Sequence, residues 1–251
     1  MDKPVQLQSI WDGTLGDEAE EARRGARAYL EVLGEIHRFL QPQRYLEIGI
    51  RFGHSLCLAT CEAVGVDPAP DLKVKLNPRT IAVTETSDDF FARDNGKFDL
   101  IFIDGMHLFE NVLRDFIHAE AIANLDGLIV IDDVLPNHPL QANRRRQTQT
   151  WTGDVWKIVP VLRTWRPDLK LTLLDTYPTG LLCVSGLNPE NRSLPAAYPE
   201  ILAAYGGDLD PEDEVLNRVG TAIPETEVVR KLATRPIPSG MGKVFRRILG
   251  R

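Results

Sequence analysis

The chain has 251 residues, with 29 Lys or Arg against 36 Asp or Glu, for a formal net charge of -7. That balance argues against a protein that wraps nucleic acid or lies on an anionic membrane. The longest apolar runs, such as Leu128 to Ile131, are strand-sized and far short of the roughly 18 residues a membrane helix needs. Met1-Asp2-Lys3-Pro4 has neither a basic n-region nor an apolar h-region, so no secretory leader is expected. Three cysteines make no disulfide framework, and Cys57 and Cys61, four apart, read as one buried helix face. The expectation is a soluble, cytoplasmic α/β domain with appendages.

Residues 17–40 read as an amphipathic helix, with Ala22, Ala26, Tyr29, Leu30, Leu33, Ile36, Phe39 and Leu40 at helical spacing. They make up most of an N-terminal helical segment spanning 1–40. Pro42 ends it, and Arg44 to Gly49 is an apolar strand running into a glycine turn, followed by an expected helix from about His54 to Ala63. Val64 to Asp67 and Thr80 to Thr84 are the next strands, and Asp88 to Arg93 is a short helix. Phe98 to Asp104 is the clearest strand. A helix of about 16 residues follows it, with Leu108, Val112, Leu113, Phe116, Ala119 and Ile122 on its apolar face. Gly127 to Asp132 is again almost wholly apolar, as a strand covered on both faces should be. Trp156 to Trp165 reads as a helix, and Lys170 to Leu174 with Leu181 to Ser185 as a closing strand pair. Strands alternating with helices at this spacing predict a three-layer, open, mostly parallel sheet, here over residues 41–188. From 189 to 251 prolines punctuate short helical pieces that end in the basic run Lys243 to Arg247. This stretch reads as an appendage; with the N-terminal helix it offers interface material for a homo-oligomer.

In an open parallel sheet, ligands bind outside the carboxyl ends of the strands, where the strand order reverses. Polar residues stand at five successive strand ends: Glu47 with Gly49, Asp67, Ser87, Asp104, and Asp132 with Asp133. Glu47-Ile48-Gly49-Ile50-Arg51-Phe52-Gly53-His54-Ser55 is a glycine-bearing strand-to-helix turn, but it matches neither G-x-G-x-x-G nor a Walker A loop. Asp67 lies 20 residues past Glu47, where a carboxylate can accept hydrogen bonds from both hydroxyls of a ribose. A tight turn and a strand-ending aspartate of no further role fit these residues equally well.

Taken together, the first turn with Asp67, the segment Phe98 to His107 and the segment Leu125 to Asp133 resemble the class I S-adenosylmethionine-dependent methyltransferases. The likeness covers roughly residues 40–186 and is closest to the branch of macrocin-type sugar O-methyltransferases. It implies a Rossmann-like methyltransferase fold with S-adenosyl-L-methionine as cofactor. Glu47, Gly49, Gly53 and Ser55 would surround the methionine part, Asp67 would hold the ribose, and Ser87 or Asp88 would lie beside the adenine. The same branch uses a divalent metal, so the likeness implies Mg²⁺ on Asp104, Asp132 and Asp133. Hard oxygen donors suit that ion, and three carboxylates without a cation would repel one another. The alternative is that these aspartates merely cap the turns and the helix that follow them.

His107, three residues after Asp104, could as a neutral imidazole take a proton from a substrate hydroxyl, or could simply orient an aspartate. Asp104 is the other candidate base, and His138, just past the aspartate pair, is a third. Arg144-Arg145-Arg146 could meet an anionic substrate or form a solvated face. Trp156 reads as core and Trp151 as a residue that could line a substrate pocket. The reading is an O-methyltransferase acting on a small hydroxylated molecule such as a sugar or natural product. A non-catalytic S-adenosylmethionine-binding protein is the alternative. A nicotinamide-dependent oxidoreductase is disfavoured because Arg51 stands where its second glycine belongs.

Overall fold

The computed structural model describes residues 16–234. Its centre is a seven-stranded sheet made of β1 (Arg44–Ile48), β2 (Glu62–Asp67), β3 (Thr80–Thr84), β4 (Phe98–Ile103), β5 (Ala123–Asp132), β6 (Lys170–Leu174) and β7 (Leu181–Ser185). The order across the sheet is β3-β2-β1-β4-β5-β7-β6. All pairings are parallel except those of β7, which runs antiparallel to both β5 and β6. The expected three-layer, mostly parallel Rossmann-like sheet is therefore what the chain forms, and its order reverses between β1 and β4.

Apolar content on both faces of the strands dictates the layers. Every residue of β4 is buried, as a central parallel strand requires. On one face Leu46, Ile101, Ile103, Ile129 and Ile131 meet the helices α3 (Phe109–Ala121), α4 (Ile158–Trp165) and α5 (Ser193–Tyr205). Phe116 is fully buried there, and truncating it to alanine should cost about 3–5 kcal/mol. On the other face Tyr45, Leu100, Phe102 and Val130 meet α1 (Tyr29–Leu40) and α6 (Thr226–Ala233). Leu194 and Ile201 of α5 and Val229 and Ala233 of α6 belong to these two cores. Two helices of the 189–251 stretch are thus packed on the domain, one on each face of the sheet. The basic run from Lys243 lies outside the described residues, as do the first 15 residues.

Two expected helices are corrected. The first is confined to Tyr29–Leu40 and stops where Gln41 turns left-handed (φ 48°) ahead of Pro42. Residues 17–28 are drawn into long-range pairing instead. Glu21 accepts the amides of Gln149 (2.6 Å) and Thr150 (2.9 Å), and Arg27 and Ala28 pair with Thr176 and Tyr177. The second expected helix, His54 to Ala63, is reduced to a single 3-10 turn at Leu56–Leu58, because the ladder with β1 takes the chain from Glu62 onward. Cys57 is consequently exposed while Cys61 is buried, and they share no helix face. No helix among the described residues is long and apolar enough to cross a membrane.

Candidate active site at the carboxyl edge of the sheet

The turn after β1 is built for a close backbone approach. Gly49 takes φ +87°, and a Cβ there would lie 1.9 Å from the carbonyl oxygen of Asp104. Only glycine fits where the β1 and β4 exits pass each other. The amide of Asp104 donates to the Ile48 carbonyl at 2.8 Å, and the amide of Gly49 to that of Val66 at 2.8 Å. The ends of β1, β2 and β4 are thereby tied together. Gly53 closes the turn by donating to the Ile50 carbonyl at 2.6 Å.

Glu47 is fully buried, and both its oxygens are used: Ser55 Oγ donates to one at 2.5 Å and Tyr45 Oη to the other at 2.6 Å. Burial pushes its carboxyl up to about 8, against the pull of those two hydrogen bonds. Glu47 and Ser55 therefore shape the turn from within. Asp67 stands at the end of β2 with one oxygen accepting from Arg51 N (2.9 Å) and the other from Ala69 N (2.8 Å). Each oxygen keeps a lone pair for an incoming donor. Ser87 and Asp88 open α2 (Ser87–Phe91), which Thr86 caps; Asp88 is exposed and paired with Arg114 at 3.1 Å.

Beyond β4 and β5, Asp104, His107 and Asp133 converge, offering ligand atoms that all lie within 4.8 Å of one another. His107 Nε2 lies 3.4 Å from Asp104, and Nδ1 lies 3.2 Å from Asp133 and 2.9 Å from the Trp151 carbonyl. The three side chains keep 24%, 23% and 13% of their surface exposed, so solvent reaches them. Burial opposes a charge on His107, yet Asp133 and then Asp104 outweigh it and raise the imidazole to about 9. The carboxylates on either side thus favour the charged form of the ring. Burial lifts Asp104 to about 6, with His107 pulling the other way.

Asp132 is not part of the cluster. Its Oδ1 accepts the amide of Asp133 at 2.8 Å, and burial with two neighbouring carboxylates drives its carboxyl well above the usual range. Asp133 takes the left-handed φ of +62° that aims its side chain differently. His138 is also not brought in, since its Nδ1 accepts the Leu140 amide at 3.2 Å and starts a 3-10 turn. Asp104 does not cap α3: the amide of Phe109 goes to Asp154 at 2.7 Å. Arg144 joins Glu110 and Asp154, each at 2.6 Å, so it is neither a solvated face nor free to meet a substrate. Trp156 is core, as expected, and Trp151 stacks on His107 with ring centroids 5.2 Å apart.

Sequence reasoning placed Tyr29 only on an apolar helix face. Its ring lies 6.4 Å from that of Phe102, which pairs in register with Glu47 and Val130 on neighbouring strands. Burial first, then Asp132, Asp104, Glu47 and Asp133, push its hydroxyl well above the ordinary tyrosine range. Tyr29 is therefore within electrostatic reach of those carboxylates. Asp154, 45 residues from the helix it caps, carried no local signal at all.

Residues 46–134 match a family model described as a methyltransferase domain. That stretch, from β1 through the end of β5, is thus similar to a methyltransferase domain. No curated protein matches the sequence. Among solved structures, an SAH-bound methyltransferase from Podospora anserina is 17% identical, with 62% of this chain and 77% of that one covered at a TM-score of 0.50. An O-methyltransferase from Bacillus cereus in complex with SAH is 16% identical, covering 62% and 80% at 0.48. The O-methyltransferase TomG from Streptomyces achromogenes, in complex with SAM, is 18% identical, covering 64% and 80% at 0.48. At these identities the first likeness speaks for the fold, and the fold is the one the strand order already defines.

Proposed function

We propose that this protein is an O-methyltransferase that moves a methyl group from S-adenosylmethionine to a hydroxyl of a small molecule such as a sugar or natural product, with a divalent cation assisting. The observation that carries the reading is the convergence of Asp104, His107 and Asp133 at the same sheet edge as the Gly49 turn and Asp67. Gly49 and Gly53 leave room for the methionine part of the cofactor. Asp67 accepts from the ribose hydroxyls, and Ser87 and Asp88 flank the adenine.

The two carboxylates suit a hard divalent cation such as Mg²⁺, and the imidazole among them favours Mn²⁺ over Mg²⁺. Asp104, His107 and Asp133 would hold it, in place of the Asp104, Asp132 and Asp133 set expected from sequence. When bound, the cation supplies positive charge that lowers the pKa of the acceptor hydroxyl. Asp104 takes the hydroxyl proton on a carboxylate oxygen that the cation leaves free. The acceptor oxygen then attacks the sulfonium methyl in line, and S-adenosylhomocysteine leaves. The enzyme contributes chiefly positioning and electrostatics.

The test is methyl transfer from labelled S-adenosylmethionine to a panel of hydroxylated acceptors, with Mn²⁺ or Mg²⁺ and after EDTA. Turnover that EDTA abolishes and the metal restores supports the reading. Turnover indifferent to EDTA removes the cation from it. Cofactor binding with no turnover on any acceptor favours a non-catalytic binding protein.

A further inference from the structure

His107 is gripped by consecutive residues of one loop. The Trp151 carbonyl lies 2.9 Å from Nδ1, and the Trp151 indole covers the imidazole at 5.2 Å and 18° from parallel. The indole is itself anchored, because Nε1 donates to the Asn143 carbonyl at 2.6 Å. Gly153 rests on the backbone of His107: a Cβ there would sit 1.7 Å from the His107 carbonyl oxygen, at a φ of +55°. Asp154 then accepts the amide of Phe109 at 2.7 Å, two residues past the histidine. Lys157 Nζ, at 2.7 Å, and Arg144, at 2.6 Å, hold that carboxylate in place.

We propose that the segment Trp151–Asp154 is the positioning element of His107, fixing the imidazole with its Nδ1 proton on the Trp151 carbonyl and Nε2 turned to Asp104. A carbonyl oxygen only accepts, so Nδ1 must carry a proton in the neutral ring as well as in the charged one. Asp133 Oδ2, 3.2 Å from Nδ1, adds negative charge on the same side of the ring. The lone pair of the neutral ring is then on Nε2, 3.4 Å from Asp104 and on the cluster side. A hydrogen bond from the far nitrogen is what fixes tautomer and orientation when a histidine serves as a metal ligand. Trp151 supplies the carbonyl and the ring wall, Gly153 the close backbone contact, and Asp154 the fixed start of the helix. The inference rests on the reading of His107 as a site residue.

The test is the imidazole region of ¹H–¹⁵N spectra of the labelled full chain, with the His107 signal assigned through His107→Asn. The His107 Nδ1 proton should exchange slowly with water in the wild type. It should stay protected in Trp151→Phe, which keeps both the carbonyl and a stacking ring. Trp151→Ala and Gly153→Ala should speed its exchange clearly above the wild-type rate, with thermal unfolding confirming that each variant folds. If Gly153→Ala does not fold, Trp151→Ala decides. Wild-type exchange in the folded alanine variants overturns the proposal. Mn²⁺ titration of wild type and His107→Asn tests the metal reading separately: equal affinities refute that reading and leave the exchange result standing.

Discussion

The carboxylate of Asp132 accepts the backbone amide of its neighbour Asp133 at 2.8 Å, and that contact divides two adjacent aspartates into different work. Asp132 is turned inward and 7% exposed, whereas Asp133, at φ +62°, faces Asp104 and His107. Asp133→Ala should weaken Mn²⁺ binding by about tenfold or more. Asp132→Asn keeps the acceptor for the Asp133 amide and should stay within about twofold of wild type. Calorimetric or paramagnetic-resonance titration of the two variants checks this. Equal losses would place both carboxylates in the site.

Glu47 makes stability depend on pH. Its folded carboxyl titrates at about 8 against the usual 4.5, so between those values the native state binds more protons than the unfolded chain. Stability is therefore highest below the unfolded value and falls as pH rises through the folded one. Glu47→Gln, neutral throughout, should gain on the wild type from about pH 5 to about pH 9, by up to a few kcal/mol. Urea midpoints of the two proteins across that range give the difference. A variant that loses ground as pH rises would contradict it.

Asp154 is 1% exposed and Lys157 is fully buried, with Nζ bonded only to the Asp154 carboxylate (2.7 Å) and the Gly207 carbonyl (2.6 Å) among the described contacts. Asp154→Ala would leave the ammonium in the core with that one carbonyl and unpin the start of α3. It should cost about 3–5 kcal/mol, read as a lowered urea midpoint at unchanged slope. Substituting Lys157 by methionine as well should recover part of that loss, because the stranded charge goes with it.

Much of this architecture is legible in the sequence, and the exceptions have a common cause. Thr80–Thr84, Lys170–Leu174 and Leu181–Ser185 fall where composition and alternation put them, and Phe98 to Ile103 is too apolar to sit anywhere but mid-sheet. The strand-end residues Glu47, Asp67, Asp104 and Asp133 followed from topology alone. What escaped depends on partners far along the chain. Residues 17–28 carry a helical pattern, but the Gln149 and Thr150 amides and the Thr176–Tyr177 strand claim them. Asp104 looks like a helix cap until Asp154 is seen to fill that role. Asp132 and Asp133 look equivalent until the backbone of Asp133 turns left-handed.

The central claim is that the Gly49 turn and Asp67 form a cofactor site at the β1–β2 edge, and calorimetric titration with S-adenosylhomocysteine tests it most directly. One binding event per chain is predicted, weakened by about tenfold or more in Asp67→Ala, since that change removes a charged acceptor from two hydroxyl donors. No binding to the wild type, or the same affinity in the variant, would contradict it.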